Sequence, residues 1–242
     1  MKKLFILQFF FFCGIITAQD IDGSWKLVEK DGQEITNTET VRIYQDGYFA
    51  YGTKETETNN FIEAGGGKYT LDKSNYQETL DFTTENPGKV GTTAEFEIEV
   101  QGDQVKVWSD EHSQVWQKIS DAENDLSGNW VITGRKRNGE MRNSTPGARR
   151  TIKILGGDRF QWVAFNSDTK EFHGTGGGTY SAENGKYTEN IEFFSRDASR
   201  VGASLGFDYK VKDGEWHHSG FSSKGDPMYE IWSPYEEAYQ PE

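Results

Sequence analysis

Apolar and polar residues alternate along most of the chain in short runs, without the spacing of an amphipathic helix. In the run 76–83, Glu78 shares one face with Tyr76, Leu80 and Phe82, and the residues between them are polar. This alternation predicts strands with one face toward a core, so all four residues are expected to face inward. Seven similar runs occur before residue 120: 24–30, 40–45, 48–54, 60–71, 92–101, 104–109 and 114–119.

Turn-forming pairs separate these runs, for example Asp31-Gly32, Asp46-Gly47 and Gly102-Asp103. Eight short strands with such turns are typical of a closed up-and-down antiparallel barrel, in which no sheet edge stays unpaired. A β-sandwich is the alternative fold.

The pattern occurs twice. Gly65-Gly66-Gly67 returns as Gly176-Gly177-Gly178, and the strands around both triplets match at the same constant offset in numbering. Upstream the offset is slightly smaller, between Trp25 and Trp130, and downstream it is slightly larger, between Trp116 and Trp232. A repeat of this length indicates a duplicated domain, since solenoid units are only about 20–50 residues long.

The sequence therefore predicts an all-β protein of two tandem eight-stranded barrels. The expected organisation is a signal peptide at 1–18, a first barrel at 19–121, a linker at 122–127, a second barrel at 128–236 and a tail at 237–242, which we expect to be loose.

The N-terminus predicts secretion. Lys2 and Lys3 precede the apolar run 4–16, and small residues end at Ala18, where we expect cleavage. The run is too short for a transmembrane helix of about 20 residues. The only cysteine, Cys13, lies within it, so a secreted or periplasmic mature chain would contain no disulfide, thiolate nucleophile or cysteine metal site.

The composition favours large aromatic cores and argues against polyanionic partners. Aromatic residues make up 14% of the chain, and the net charge is −13. An acidic protein is not expected to bind nucleic acid or an anionic membrane surface. Six basic residues nevertheless cluster in one part of the chain: Arg135, Lys136, Arg137, Arg142, Arg149 and Arg150. We interpret this cluster as a solvated loop, with a site for an anion or a partner as the alternative.

The triple glycines lie inside predicted strands, where glycine weakens pairing. We interpret them as the point where a bend or bulge lets the sheet curl into a barrel, with contact to a ligand as the alternative.

Each repeat opens with a Gly-x-Trp motif, Gly23-Ser24-Trp25 and Gly128-Asn129-Trp130. Together with the eight-strand layout, this resembles the lipocalin-like (calycin) barrels and the secreted lipocalin-like domains of unassigned function in Bacteroidetes-type bacteria. The resemblance implies that the tryptophan closes one end of the barrel and that a basic residue near the last strand packs on it. Lys118 suits that role, whereas Ser233-Pro234 stands there in the second repeat. The resemblance also implies binding of a small, largely apolar molecule without a reaction.

Glu78 and Glu189 are the most informative polar residues, because each lies on an otherwise apolar face. A buried carboxylate needs a partner or a proton. We expect an internal hydrogen bond to Tyr69 or Tyr180, or to main-chain amides. The alternatives are a carboxylate that orients a ligand and, less supported, a general acid or base.

The second repeat adds Trp162, Trp216 and His218 to the inward-facing residues that both repeats share, and this favours the second repeat as the one that binds a ligand. His217 and His218 point to opposite faces of a strand, so we expect no metal site, and His218 could meet Glu189. Nine aromatic residues are expected inside this barrel, where they either pack solidly or line a pocket: Phe160, Trp162, Phe172, Tyr180, Tyr187, Phe193, Phe207, Tyr209 and Trp216.

Three functions remain open. The first is a secreted, non-catalytic protein that binds a small apolar or aromatic molecule, with no cofactor. The second is a solid interaction module for protein or glycan partners, and the third is an enzyme using Glu189 and His218. The candidate ligand-binding residues are Tyr69, Glu78, Trp162, Tyr180, Tyr187, Glu189, Tyr209, Trp216 and His218.

Overall fold

The computed structural model describes residues 20–221 and 225–239, and the predicted signal peptide lies outside these residues. The first sheet has nine strands: β1 (Gly23–Lys30), β2 (Gln33–Glu34), β3 (Thr38–Gln45), β4 (Tyr48–Glu55), β5 (Phe61–Asp72), β6 (Asn75–Thr83), β7 (Thr93–Gln101), β8 (Gln104–Trp108) and β9 (Ser113–Ser120).

The second sheet repeats this order and ends in a short helix. Its elements are β10 (Gly128–Arg137), β11 (Glu140–Asn143), β12 (Arg149–Gly156), β13 (Arg159–Asn166), β14 (Glu171–Glu183), β15 (Lys186–Phe194), β16 (Ser204–Lys212), β17 (Glu215–Phe221), β18 (Pro227–Pro234) and α1 (Tyr235–Ala238).

Both sheets are antiparallel and closed. β1 pairs with β9, and β10 pairs with β18, so eight strands complete each barrel while β2 and β11 lie beside β1 and β10. The fold is all-β with two eight-stranded barrels in tandem, as predicted. This closure rules out the β-sandwich alternative. The predicted turns fit two-residue hairpins: Asp46 and Gly47 have φ values of 54° and 68°, which suit a glycine-containing hairpin turn.

β-Bulges lie opposite the triple glycines, with Asp81 of β6 and Glu192 of β15 as the extra residues, which agrees with the structural interpretation of the glycines. The register against the next strand shifts between Gly66 and Gly67, and again between Gly177 and Gly178. A Cβ atom on Gly178 would lie 2.0 Å from the main-chain oxygen of Asn190. No larger residue fits so close to the neighbouring strand.

Beyond each bulge, the alternation of inward and outward side chains along β6 and β15 is reversed. Ile191 stays inside the second barrel, but Phe193 faces the first barrel and stacks on Phe61 at 6.2 Å. Phe82 likewise packs against Phe165, outside its own barrel, at 5.2 Å. The prediction that Phe82 and Phe193 face inward is therefore wrong, because one extra residue in each strand moves the later side chains to the other face.

The two barrels share an apolar interface between their outer walls. Ile43 of β3 packs there with Ile152 and Ile154 of β12, and Phe61 stacks on Phe172 at 6.4 Å. Phe172 was expected inside the second barrel, so this expectation is also wrong. Ile43, Ile152 and Ile154 thus face outward, which leaves Arg42 and Lys153 between them to face the barrel interiors.

A buried charge network crosses this interface. The guanidinium of Arg150 lies 3.2 Å from Asp81, which also accepts hydrogen bonds from Tyr48 and Tyr235 at 3.1 Å. The Arg150 side chain is only 1% exposed, so its assignment to a solvated loop is wrong. Tyr239, in the segment expected to be loose, stacks on Tyr235 at 5.4 Å.

The motif tryptophans close one end of each barrel. Trp25 donates its indole hydrogen to the carbonyl of Ile21, and Trp130 donates to that of Leu126. Both acceptor residues are buried, including Leu126 of the segment expected to be a linker. The ammonium of Lys118 lies 5.2 Å from the Trp25 ring, in the position that the resemblance implied. Within the described chain, no helix is long and apolar enough to cross a membrane.

Candidate functional site

A buried ion pair lies inside the second barrel. The ammonium of Lys153, on β12, is 2.5 Å from a carboxylate oxygen of Glu189, on β15, and the two side chains are only 6% and 7% exposed. The phenol of Tyr187 donates to the same oxygen at 2.9 Å. Burial and the charge of Glu189 raise the pKa of Tyr187 well above its usual value, so the phenol keeps the proton it donates.

The first barrel contains the same pair at the matching positions. Arg42 lies 2.6 Å from Glu78, and Tyr76 donates to Glu78 at 2.7 Å. The Arg42 guanidinium is covered by aromatic rings, with Phe49 at 4.8 Å and Trp116 at 4.6 Å from its central carbon. Stacked guanidinium and rings fill the middle of this barrel.

The carboxylates do not bond to the tyrosines expected from the sequence. Tyr69 donates to Asp22 at 2.9 Å, and the Tyr180 hydroxyl accepts from Asn124 at 2.7 Å. Both tyrosines lie next to their glutamates across the strand pair, but their rings reach toward the closed ends of the barrels. The expected bonds to Tyr69 and Tyr180 are wrong.

A second cluster of polar residues lines the same barrel interior as the ion pair. Glu230, on β18, accepts hydrogen bonds from Arg135 at 2.5 Å and from the indole of Trp232 at 3.1 Å. His218, on β17, is 2% exposed, and its Nδ1 lies 3.6 Å from Glu230, beyond hydrogen-bond distance. Neither ring nitrogen of His218 has a hydrogen-bond partner within the described residues.

The pKa shifts of this group follow from burial and from nearby charges. Burial lowers the pKa of His218 below its usual value of 6.5, so the ring is neutral at neutral pH. Burial alone would raise the pKa of Glu230, but the polar His218 ring, whose Nδ1 faces the carboxylate at 3.6 Å, and the positive charges of Arg135 and Lys153 outweigh it and bring the pKa to about 2. The carboxylate is therefore ionised beside a neutral histidine.

These groups line a cavity of about 420 Å³ that opens at one end of the second barrel. Its walls are mostly apolar and its polar residues converge from several strands. Apolar and aromatic lining is supplied by Trp162, Ala164, Ile191, Phe194, Ala203, Leu205, Phe207, Met228 and Trp232, and polar lining by Arg135, Thr151, Lys153, Glu189, Arg196, Arg200, His218 and Glu230.

Three of the residues predicted for the site line this cavity directly: Trp162, Glu189 and His218. Tyr187 and Trp216 are fully buried beneath it, with the Trp216 ring 5.1 Å from that of His218. The other four predicted residues lie elsewhere. Tyr180 and Tyr209 bond to Asn124 and Asp125 at the closed end, and Tyr69 and Glu78 belong to the first barrel.

Sequence reasoning missed the basic partner of each glutamate. Arg42 and Lys153 occupy matching positions of the two repeats and both are basic, a signal that could have found them. The strong apolar residues beside them, such as Ile152 and Ile154, predict the opposite orientation because the outer wall is buried too. Phe194 was missed for the related reason that the bulge turns it inward, against Trp162 at 5.4 Å.

No group of three or more histidine, cysteine, aspartate or glutamate side chains within residues 20–221 and 225–239 is arranged to hold a metal ion. His217 bonds instead to the hydroxyl of Tyr229, at 2.8 Å.

Comparison with known proteins assigns no family. No protein-family model matches the chain, and no curated protein matches it. An uncharacterized protein from Bacteroides eggerthii is 18% identical, with a TM-score of 0.33, over 41% of this chain and 100% of its own. A mutant of the vaccine antigen Transferrin Binding Protein B from Haemophilus parasuis is 9% identical, with a TM-score of 0.24, over 83% of this chain and 61% of its own. Likenesses this weak carry no argument about function.

Proposed function

We propose that the second barrel binds one small molecule with an apolar or aromatic body and does not transform it. Its cavity of about 420 Å³ falls in the range of small-molecule sites, about 300–1,000 Å³. Such sites combine apolar walls with a few convergent polar groups, and Trp162, Phe207 and Met228 contribute to the walls.

The observation that carries the proposal is His218. Its ring is 2% exposed and lines the cavity; Nδ1 faces Glu230 at 3.6 Å, and Nε2 has no hydrogen-bond partner within the described chain. Buried polar groups in proteins are nearly always hydrogen-bonded, and an unmade bond costs about 1–3 kcal/mol. A ligand with a polar group at this depth would supply the missing bond.

Binding is favoured over catalysis because the carboxylates are already engaged. Glu189 holds Lys153 and Tyr187, and Glu230 holds Arg135 and Trp232. An acid–base reaction with His218 would need a carboxylate that can exchange a proton with the substrate. Neither Glu189 nor Glu230 is free to do so.

The proposal includes secretion. The basic residues Lys2 and Lys3, the apolar run 4–16 and the small residue Ala18 support export and cleavage. A carrier or receptor outside the cytoplasm would meet ligands from the surroundings of the cell.

Titration with the neutral fluorescent probe N-phenyl-1-naphthylamine tests the proposal. We expect saturable binding to the protein without residues 1–18. Ala164→Phe places a ring in the cavity and should weaken the affinity at least about tenfold. Ala94, exposed on β7 of the first barrel, is the matched control, and Ala94→Phe should leave the affinity unchanged.

Absence of saturable binding by both this probe and a panel of apolar compounds would overturn the proposal and favour an interaction module acting through its outer surface. Equal loss of affinity in both phenylalanine variants would place the site outside the second barrel and would overturn it as well.

A further inference from the structure

The charge around the cavity indicates the chemical class of the ligand. The charges of four lining residues balance, because Lys153 pairs with Glu189 deep in the barrel and the partly exposed Arg135 pairs with the buried Glu230. Two more cationic residues, Arg196 and Arg200, line the cavity beyond strand β15. Arg200 is 3.4 Å from Asp197, so the net positive charge at this rim is that of Arg196.

Main-chain contacts hold the Arg196 side chain in place at the rim of the cavity. Its guanidinium donates two hydrogen bonds to the main-chain carbonyl of His173, and it has no carboxylate partner within the described residues. Gly174 provides the space, since a Cβ atom there would lie 2.4 Å from Nε of Arg196. The arginine is thus held at the rim while its charge stays uncompensated.

The first barrel has the opposite charge at the same rim. Glu63 and Glu85 stand at the positions that Gly174 and Arg196 occupy in the second repeat. Burial and the nearby charge of Glu85 raise the pKa of Glu63, as expected for two carboxylates held close together. The second barrel thus has an arginine at a rim where the first barrel has two glutamates, although the net charge of the chain is −13.

We propose that the ligand is an amphipathic monoanion, such as an aromatic or aliphatic carboxylate or sulfonate. Its apolar body lies against Trp162 and Phe207, and its anionic group contacts Arg196 at the rim. This inference rests on the proposed function, because it needs an occupied second barrel. The His218 ring also lines the cavity and is left to bond to a second polar group of the ligand.

Two probes with the same aromatic skeleton test the inference. N-phenyl-1-naphthylamine is neutral, and 1-anilinonaphthalene-8-sulfonate adds only a sulfonate. We expect the sulfonate probe to bind about five- to tenfold more tightly at low salt, with the advantage falling as salt is raised, since screening weakens exposed charge pairs.

Substitution at the rim provides the specific readout. Arg196→Glu copies the residue of the first barrel and should weaken binding of the sulfonate about tenfold while changing the affinity for the neutral probe less than about twofold. Arg196→Gln should lie between. Lys186→Glu makes the same change of net charge at an exposed lysine, 74% accessible, on the same barrel and should affect neither probe.

The outcomes separate the two proposals. If the neutral probe binds and the sulfonate binds no tighter, or if Lys186→Glu has the same effect as Arg196→Glu, the anionic class is overturned and the binding site stands. If neither probe binds, the proposed function fails and this inference fails with it.

Discussion

Lys153 and Glu189 form an ion pair of 2.5 Å inside the second barrel, at the positions that Arg42 and Glu78 occupy in the first. Duplication has kept the pair, but the change from arginine to lysine alters what surrounds it. A guanidinium stacks between rings, whereas a compact ammonium leaves the space beside it open. In the second barrel Lys153 and Glu189 line the open cavity.

Breaking the pair on one side should destabilise the protein strongly. Glu189→Gln leaves the Lys153 ammonium buried without its carboxylate, and we expect a loss of about 3 kcal/mol in the free energy of unfolding. Removing both charges with Lys153→Met and Glu189→Gln should cost less than the sum of the single changes. Urea unfolding of the four proteins measures the coupling, and strictly additive losses would show that the two groups do not interact.

The network between the barrels should matter more than an exposed pair of the same type. Asp81→Asn removes the carboxylate from Arg150, whose side chain is 1% exposed, and should lower the free energy of unfolding by about 3–5 kcal/mol. Lys186→Gln breaks an exposed pair with Asp208 and should change it by less than about 1 kcal/mol. Similar small effects for both variants in chemical unfolding would contradict the role given to Arg150.

Gly178 should not tolerate a side chain. Gly178→Ala brings a Cβ atom within 2.0 Å of the Asn190 carbonyl, so the bulge must open, at a cost of about 2 kcal/mol or more. Gly206, on β16 of the same barrel, has nothing within 4 Å of a Cβ atom, and Gly206→Ala should be neutral. Thermal unfolding compares the two, and equal midpoints would contradict the close approach at Gly178.

His218 should make stability depend on pH. The unfolded chain binds the histidine proton near 6.5, and the folded chain binds it only at lower pH, so protonation favours unfolding. Stability should therefore fall as the pH is lowered from 6.5 to 4.5, by at most about 1.4 kcal/mol per pH unit. In the folded chain Glu230, with a pKa of about 2, stays ionised throughout this window.

The test compares urea unfolding of the wild type and His218→Gln between pH 4.5 and 7.5. The difference in unfolding free energy between the two proteins should change with pH below 6.5 and be constant above it. A difference that is the same at every pH would show that His218 binds its proton equally well in the folded and unfolded chains.

The sequence predicts the fold well because the barrel strands alternate and the domain is repeated in register. It fails at two places, each for its own physical reason. Strands β3 and β12 are buried on both faces. The alternation therefore marks Ile152 and Ile154 as buried, but it does not say whether they face the barrel interior or the other barrel. For the same reason the sequence does not show that Lys153 faces the interior. The glycine bulges shift the later side chains by one position, so Phe193 and Phe194 exchange sides.

The sequence favours the second repeat through Trp162 and His218, which line the cavity, but the positions of the ion pair do not indicate where the space lies. Tyr51 and Trp162 are both aromatic and Arg42 and Lys153 are both basic, so the two repeats look equivalent at these positions. In the structure the Arg42 guanidinium packs 5.4 Å from the Tyr51 ring, whereas a cavity lies beside Trp162 in the second barrel.

Methionine methyl NMR locates the ligand most directly. After Met1 the chain has two methionines: Met228, which lines the cavity, and Met141, which is 41% exposed on β11. With labelled methyl groups assigned through Met228→Leu and Met141→Leu, addition of N-phenyl-1-naphthylamine should shift the Met228 signal and leave that of Met141 in place. A bound probe that leaves Met228 unmoved, or that shifts Met141 instead, would contradict a binding site in the second barrel.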